Sequence, residues 1–228
     1  MKVIKNILNS NDIYKIFGVI VVLGLLVCLY CFRRKNFKKN LNDIPVLYIN
    51  LDHRTDRKKN IENQLVGFNN IERISAIYTP NNGREGCTLS HIKALERAKQ
   101  KGYEEFIIME DDFEWIAKDK FIYPEIYFDV CMISGKINKK EFLSWDYNKV
   151  LDGRHTDCYL VKQEFNDKLI NNFKEGYAKL KVENKHEYYI DVYWTKLQKL
   201  YTFITPSILI GRQIIDYSDI EKKVMKRY

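Results

Sequence analysis

Three consecutive carboxyl side chains, Glu110, Asp111 and Asp112, follow a short strand predicted over residues 105–109. Adjacent carboxylates repel one another, and a divalent cation such as Mg²⁺ or Mn²⁺, which prefers oxygen ligands, can hold two or more of them ionised. An extended backbone would place Glu110 and Asp112 on one face and Asp111 on the other. The spacing therefore predicts a metal site, with a solvated acidic turn as the alternative.

The elements before this triplet alternate between strand and helix. Strands are predicted at 46–51, 73–78 and 105–109, and helices at about 57–66 and 88–101. This order is typical of an α/β domain with a mixed, mostly parallel sheet. Ligand sites in such sheets lie at the carboxyl ends of strands, which is where the triplet is expected.

The second half of the chain has a less regular pattern. Strands are predicted there at 127–134, 158–162 and 203–210. Helices are predicted at 163–173 and 186–200. The five cysteines, Cys28, Cys31, Cys87, Cys131 and Cys158, show neither zinc spacing nor a disulfide framework. We expect free thiols.

The chain begins with a basic segment around an apolar run. Residues 16–32 are uncharged and would span about 25 Å as a helix at about 1.5 Å per residue, near the lower limit for a membrane crossing. A cleavable signal peptide is the alternative, but no small-residue cleavage site follows the run. The predicted organisation is a tail (1–15), a transmembrane anchor (16–32), a basic stem (33–45) and one folded domain (46–228).

The net charge of +8 comes mainly from this N-terminal segment. Residues 1–45 contain eight basic and two acidic side chains, so they carry six of the eight net positive charges. The remaining domain is nearly neutral. No nucleic-acid partner is therefore expected.

Short motifs occur in a fixed order along the domain: YINLDHRTDR at 48–57, RISAI at 73–77, GCTLSH at 86–91 and IIMEDD at 107–112. Asp191, Pro206, Gln213 and residues 218–220 follow in the second half. Together they resemble glycosyltransferase family 25, which includes bacterial lipopolysaccharide galactosyltransferases and collagen galactosyltransferases. The resemblance covers residues 46–220, and segment 113–155, where it is poor, is expected to form acceptor loops.

This resemblance implies a GT-A-type, Rossmann-like catalytic domain that uses a UDP-sugar and Mn²⁺, or Mg²⁺ in its place. It implies inverting transfer of a hexose, galactose or glucose, to a glycan, lipid-linked or protein acceptor. It leaves open the side of the membrane: the flanking charges favour the cytoplasm, whereas analogy with secretory-pathway transferases favours the lumen. A catalytically inactive sugar or nucleotide binder on a membrane anchor is the alternative function.

Roles follow for the polar residues of the first motifs. Asp112 is the first predicted metal ligand, and Glu110 and Asp111 are shared between the metal and the donor ribose. Arg54 and Arg57 are predicted to bind the donor diphosphate, because guanidinium groups match phosphate oxygens. A solvated helix start is the alternative for both arginines.

The remaining candidates come from the later motifs. Ser90 and His91 are expected either to line the donor pocket or to serve as a helix cap and a structural histidine. Asp191 is the candidate base that takes the proton from the acceptor hydroxyl, with helix capping as the alternative. His155 is a second candidate base. Gln213 is expected to contact the donor or the acceptor.

Overall fold

The computed structural model describes residues 10–36, 39–220 and 222–224, with side chains of the first helix described over 14–29. The chain forms two compact units, Met1–Lys39 and Asn40–Tyr228. Residues 1–9 of the predicted tail lie outside the described residues.

The first unit contains helix α1, Ser10–Asn36. Apolar side chains of this helix, from Ile16 to Leu29, are exposed. Among the residues that the structure describes, no helix has the length and apolar character needed to cross a membrane. The structure therefore does not support the transmembrane segment predicted at 16–32.

The second unit begins with the predicted alternation of strands and helices. Its elements are β1 (Val46–Asn50), α2 (Thr55–Gln64), β2 (Ile71–Ser75), α3 (Gly83–Lys101) and β3 (Glu105–Glu110). Strand β1 pairs in parallel with β2 and with β3, as the α/β order predicts.

Helix α3 begins earlier than the predicted Thr88. Thr79 accepts the N–H of Gly86 on its hydroxyl oxygen at 2.8 Å, so the preceding loop caps the first turn. Asn82 donates to the Glu85 carboxylate at 3.0 Å and supports the same turn. A cap supplied from a loop allowed the helix to start at Gly83, ahead of its own apolar stripe.

The second half extends the sheet beyond β3 and adds two small two-stranded sheets among the described residues. Its elements are β4 (Phe113–Trp115), β5 (Val130–Met132), β6 (Lys136–Phe142), β7 (Tyr147–Arg154), β8 (Cys158–Lys162), α4 (Gln163–Val182), α5 (Ile190–Tyr193), α6 (Thr195–Gln198), β9 (Phe203–Pro206), β10 (Gly211–Gln213), β11 (Tyr217–Ser218) and β12 (Lys223–Val224).

The main sheet has the order β2-β1-β3-β8-β5-β9-β7-β6 within the described residues. Its pairs are parallel in β2-β1-β3 and in β5-β9 and antiparallel elsewhere, so the predicted mixed α/β sheet is confirmed. Alternate residues of β1 enter different cores. Leu47 and Ile49 pack in the core that contains α3 and α4, whereas Val46 and Tyr48 pack in the core beside α2.

Two predictions in the second half were wrong in detail. The hairpin of β6 and β7 lies in a segment where loops were expected, and the single helix predicted at 186–200 is broken into short pieces. The chain is extended at Tyr189, with φ −63° and ψ 141°, between a short 3₁₀ turn and α5. The indole of Trp194 donates to the Gly153 carbonyl at 2.9 Å, and the Gln198 amide donates to the same oxygen and accepts the Gly153 N–H. These bonds hold the segment against β7.

Candidate active site at the end of β3

The acidic triplet lies where β3 leaves the sheet and turns into β4. Glu110 is the last residue of β3, and its N–H donates to the Asp157 carbonyl at 2.8 Å. Asp111 and Asp112 are 8% and 6% exposed. Carboxyl groups this deeply buried are uncommon unless they are paired or bind a cation, so the solvated acidic turn is excluded as a description of this segment.

Asp111 is held on both oxygens by neighbouring side chains. Its Oδ2 accepts from the Asn50 amide at 2.7 Å, and its Oδ1 accepts from Nη1 of Arg57 at 3.1 Å. Burial raises the pKa of Asp111, while Arg57 opposes that shift. Both oxygens of Asp111 are thus engaged, one by Asn50 and one by Arg57, and the metal or ribose contact predicted for Asp111 stays a prediction.

Asp112 has one engaged oxygen and one without a partner. Its Oδ2 accepts from Nη1 of Arg57 and from the amide of Gln213, each at 3.0 Å. Its Oδ1 is buried and has no hydrogen-bond partner among the described residues. Burial, followed by the charge of Glu110, raises the pKa of Asp112 to about 8. A cation at Oδ1 would satisfy this oxygen and oppose the shift.

Glu110 is oriented by hydrogen bonds from two sides. Its Oε1 accepts from the Thr156 hydroxyl at 2.9 Å and lies 3.1 Å from Nε2 of His91. Burial acts to raise the pKa of Glu110, but the hydrogen bonds with His91 and Thr156 outweigh it and the net shift is downward. The other ring nitrogen of His91, Nδ1, lies 2.9 Å from the Tyr159 hydroxyl, so the imidazole is fixed at both ends.

The carboxylate oxygens of this site are the ligand type that a hard divalent cation prefers. Asp112 and Asp157 each present a buried Oδ1 without a hydrogen-bond partner among the described residues, and Glu110 adds a third carboxylate. Burial, opposed by the hydrogen bond from Ser134, raises the pKa of Asp157 to about 6, and Glu110 adds to this shift. Unpaired buried carboxylates are costly, so oxygen-preferring Mg²⁺ or Mn²⁺ would stabilise the cluster.

Arg54 and Arg57 bind the C-terminal segment that covers the site. We call residues 214–220 the C-terminal strap. Arg57 donates from Nε to Asp216 at 2.9 Å and from Nη2 to the Tyr217 carbonyl at 2.8 Å. Arg54 donates to Asp216 at 2.7 Å and to Asp219 at 2.6 Å.

The arginines predicted to bind a diphosphate are thus engaged by carboxylates of the chain itself. Burial acts to lower the pKa of Arg57, but the carboxylates around it outweigh burial and raise the pKa. The strap also packs closely on the start of α3, where a Cβ at Gly83 would lie 2.9 Å from Cα of Ile220. Contact of either arginine with a diphosphate would require the strap carboxylates to move.

Two cavities meet at this site. The smaller, ≈ 210 Å³, lies among Asn50, the loop 76–80, the start of α3, the triplet and the strap. The larger, ≈ 650 Å³, is lined by His155, Asp157 and Asp191 and by basic side chains. Cys87, Glu110 and Gln213 line both, so a ligand in one cavity would lie beside a ligand in the other.

The two predicted bases lie together in the larger cavity. The N–H of His155 donates to Oδ2 of Asp191 at 3.3 Å. His155 has φ 69°, in the left-handed region, and such a conformation in a non-glycine residue often accompanies a functional site. Asp191 is in the first turn of α5, so helix capping is compatible with its position. In the contacts observed, however, its carboxylate accepts from the backbone N–H directly after β7 and not from its own helix.

Ser90 and His91 line the smaller cavity, and their polar groups are already bonded within the domain. The Ser90 hydroxyl donates to the Gly86 carbonyl at 2.6 Å and accepts the Ile77 N–H at 2.8 Å. Ser90 therefore ties α3 to the loop that walls the cavity. His91 reaches Glu110, which the sequence motif did not reveal.

The sequence did not single out several side chains of the site, among them Asn50, Thr156, Tyr159 and Asp216. Asn50 lies within the first motif and could have been found as the polar end of β1. Asp216 had no signal of its own, because its partners Arg54 and Arg57 are more than 150 residues away.

The chain matches no protein-family model and no curated protein. Among solved structures it is similar to a glycosyltransferase involved in the glycosylation of the major capsid of PBCV-1, with 12% identity, a TM-score of 0.49, and 79% of this chain and 96% of that chain covered. It is similar to A197 from STIV, with 15% identity, a TM-score of 0.43, and 81% and 95% covered. A nucleoside-diphosphate-sugar pyrophosphorylase from Vibrio cholerae RC9 gives 16% identity, a TM-score of 0.36, and 71% of each chain covered. Likenesses of this size assign no function to the chain.

Proposed function

We propose that this chain is a metal-dependent, inverting glycosyltransferase of the family 25 type, which transfers a hexose from a UDP-sugar to a hydroxyl of a glycan, lipid-linked or protein acceptor. One observation carries the proposal. Where two cavities meet lies a cluster of carboxylates with buried oxygens that have no hydrogen-bond partner in the described part of the chain, and Glu110 lines both cavities. The ordered motifs of the sequence support the same activity.

The donor is assigned to the smaller cavity and the triplet. Mn²⁺ or Mg²⁺ would be held by Asp112 and Glu110, and when bound it would neutralise charge on the donor diphosphate. Asp111 and Asn50 hold Arg57 in place, and Gln213 holds Oδ2 of Asp112. At ≈ 210 Å³ the smaller cavity is below the range of about 300–1,000 Å³ usual for ligand sites. A UDP-sugar would therefore extend into the larger cavity.

The acceptor is assigned to the larger cavity. There Asp191 would take the proton of the attacking hydroxyl, and the N–H of His155, which donates to Oδ2 of Asp191, would orient the carboxylate. In an inverting transfer the acceptor oxygen attacks the sugar carbon as the diphosphate leaves from the opposite face. An acceptor and a donor in adjoining cavities meet this requirement of proximity.

The decisive assay measures UDP release and product formation across a panel of UDP-sugars, with Mn²⁺, with Mg²⁺ and after chelation. We expect one donor to turn over and chelation to abolish turnover. Asp112→Asn should lower metal-dependent turnover, and Asp191→Asn should lower it by about 10²–10⁴-fold, the usual contribution of a general base. Asp167→Asn is the matched control, because Asp167 is exposed on α4 and pairs with Lys99.

Turnover that is unchanged after chelation or in Asp112→Asn would contradict the proposal that Asp112 holds a catalytic metal ion. Binding of a UDP-sugar without turnover of any donor would favour the alternative, a catalytically inactive nucleotide or sugar binder. This alternative is favoured by one observation: Asp216 of the strap already binds Arg54 and Arg57, the side chains predicted to bind the diphosphate.

A further inference from the structure

Three side chains with different donor atoms converge beside the carboxylate cluster. Cys87 and His91 are one turn apart on the same face of α3, and Glu110 ends β3 opposite them. One ligand atom from each residue lies within 4.8 Å of the others. Nε2 of His91 is 3.1 Å from Oε1 of Glu110, so these two donor atoms are already within hydrogen-bonding distance of each other.

The imidazole is held by a second residue behind it. Nδ1 of His91 lies 2.9 Å from the hydroxyl of Tyr159, and Tyr159 is fully buried. A histidine that binds a metal through one ring nitrogen is usually held by a hydrogen bond at the other, which fixes its tautomer and orientation. Tyr159 occupies that supporting position.

Further carboxyl groups lie beside the three donors. Asp112 lines the smaller cavity, and Asp157 and Asp191 line the larger one, which Cys87 and Glu110 also line. A divalent cation would balance the negative charge that these carboxyl groups carry when they are ionised.

We propose that Cys87, His91 and Glu110 form a binding site for a borderline divalent cation of the Zn²⁺ type, with an open coordination position facing the cavities. A thiolate, an imidazole and a carboxylate are all common zinc ligands, whereas Mg²⁺ and Mn²⁺ prefer oxygen. Three protein ligands with one open position are typical of a reactive zinc site.

The geometry needs little adjustment to take the ion. Zinc–ligand distances of about 2.0–2.3 Å place tetrahedral ligand atoms about 3–4 Å apart. The three donors already lie within 4.8 Å, so side-chain rotations can close the set. The site is distinct from the hard-cation position proposed at Asp112, and only Glu110 is common to both.

The test uses Co²⁺ as a spectroscopic substitute for Zn²⁺ in the full chain, prepared without a histidine tag and stripped of metal. Titration is expected to give a near-ultraviolet thiolate-to-cobalt charge-transfer band that saturates at one equivalent. Zn²⁺ should bleach the band, and excess Mg²⁺ should not. No donor or acceptor is needed, so a failure here is distinguishable from a failure of the proposed transferase activity.

Variants assign the ligands. Cys87→Ser is expected to abolish the band, whereas Cys28→Ser, which removes an exposed thiol of α1, should leave it unchanged. Tyr159→Phe removes only the supporting hydroxyl and is expected to weaken Co²⁺ affinity by about 10–100-fold. Far-ultraviolet circular dichroism verifies that each variant is folded. Absence of the band in the folded wild-type chain, or a band of full intensity in Cys87→Ser, would overturn the proposal.

Discussion

Nε of Arg57 lies 2.9 Å from Oδ2 of Asp216, a contact that spans 159 positions of sequence and joins α2 to the C-terminal strap. The same guanidinium donates from Nη1 to Asp111 and Asp112. One buried cation therefore fixes both the floor of the candidate site and the segment that covers it.

Arg57→Ala should be strongly destabilising, because it leaves Asp111 and Asp112 buried without their cation. Removing one partner of a buried ion pair typically costs about 3–5 kcal/mol. Urea unfolding of the metal-free chain measures the loss in the free energy of unfolding. Lys58→Ala is the control: Lys58 is half-exposed and pairs with Glu62 at 3.5 Å, so a change within about 1 kcal/mol is expected. Equal losses in the two variants would contradict a special role for Arg57.

Asp216→Asn should loosen the strap without unfolding the domain. Asp216 accepts from both Arg54 and Arg57 and is about one-third exposed, whereas the core strands do not depend on it. Hydrogen exchange of the amides at 214–220 is expected to quicken in the variant while exchange in β1 and β3 stays slow. Asp167→Asn, which breaks an exposed ion pair with Lys99, should leave strap exchange unchanged.

The strap should also respond to acid. Burial acts to raise the pKa of Asp216, but hydrogen bonds from Arg57, the Tyr217 backbone and Arg54, together with the charge of Arg57, outweigh it, and the net pKa lies below the ordinary value of 3.8. Because the pKa of Asp216 is lower in the folded state, its contact with the arginines stabilises the strap at pH values above the pKa of the unfolded chain. That stabilisation is lost as pH falls through the pKa of the folded state. Strap exchange, corrected for intrinsic rates, should therefore rise below pH 3.8 in the wild type and respond less in Asp216→Asn. Identical profiles in the two proteins would exclude the mechanism.

Asp112 should make the metal-free chain less stable as pH rises. Its pKa is raised from 3.8 to about 8, so between these values the folded state holds a proton that the unfolded state has released. The contribution of Asp112 to the free energy of unfolding is therefore most favourable below its pKa in the unfolded chain. Stability falls as pH increases toward its pKa in the folded state. Asp112→Asn should flatten this part of the stability profile in thermal melts, and Asp167→Asn should not. A variant profile parallel to that of the wild type would show that Asp112 does not titrate in this range.

Gly86→Ala should disturb the wall of the smaller cavity. A Cβ at Gly86 would lie 2.4 Å from the Ile77 carbonyl oxygen and 2.6 Å from the Thr79 hydroxyl, so α3 would have to move away from the loop. Overpacking of this kind typically costs about 1–3 kcal/mol. Gly24→Ala is the matched control, since a Cβ there meets no atom of the described residues within 4 Å. A melting temperature unchanged by Gly86→Ala would show that the loop yields freely.

The sequence by itself determined the elements around the triplet and the position of the triplet. Val46–Asn50 and Glu105–Glu110 form strands because each is a run of apolar β-formers buried on both faces, and such runs are readable from the chain. The carboxylates follow the second run directly. Their place at the carboxyl end of a central strand therefore required no knowledge of distant residues.

Only the tertiary structure decided which carboxylate oxygens are engaged and which are not. The partners of Asp111 and Asp112 come from β1, α2 and β10, and those of Arg54 and Arg57 come from the strap. Hydrogen bonds between residues so far apart leave no periodicity in the sequence. The break of the predicted helix at 186–200 was likewise not evident from the local pattern, since Tyr189 is extended between a 3₁₀ turn and α5. The local pattern of apolar and polar residues therefore determines the helices and strands, whereas burial and long-range polar contacts determine the chemistry of the site between them.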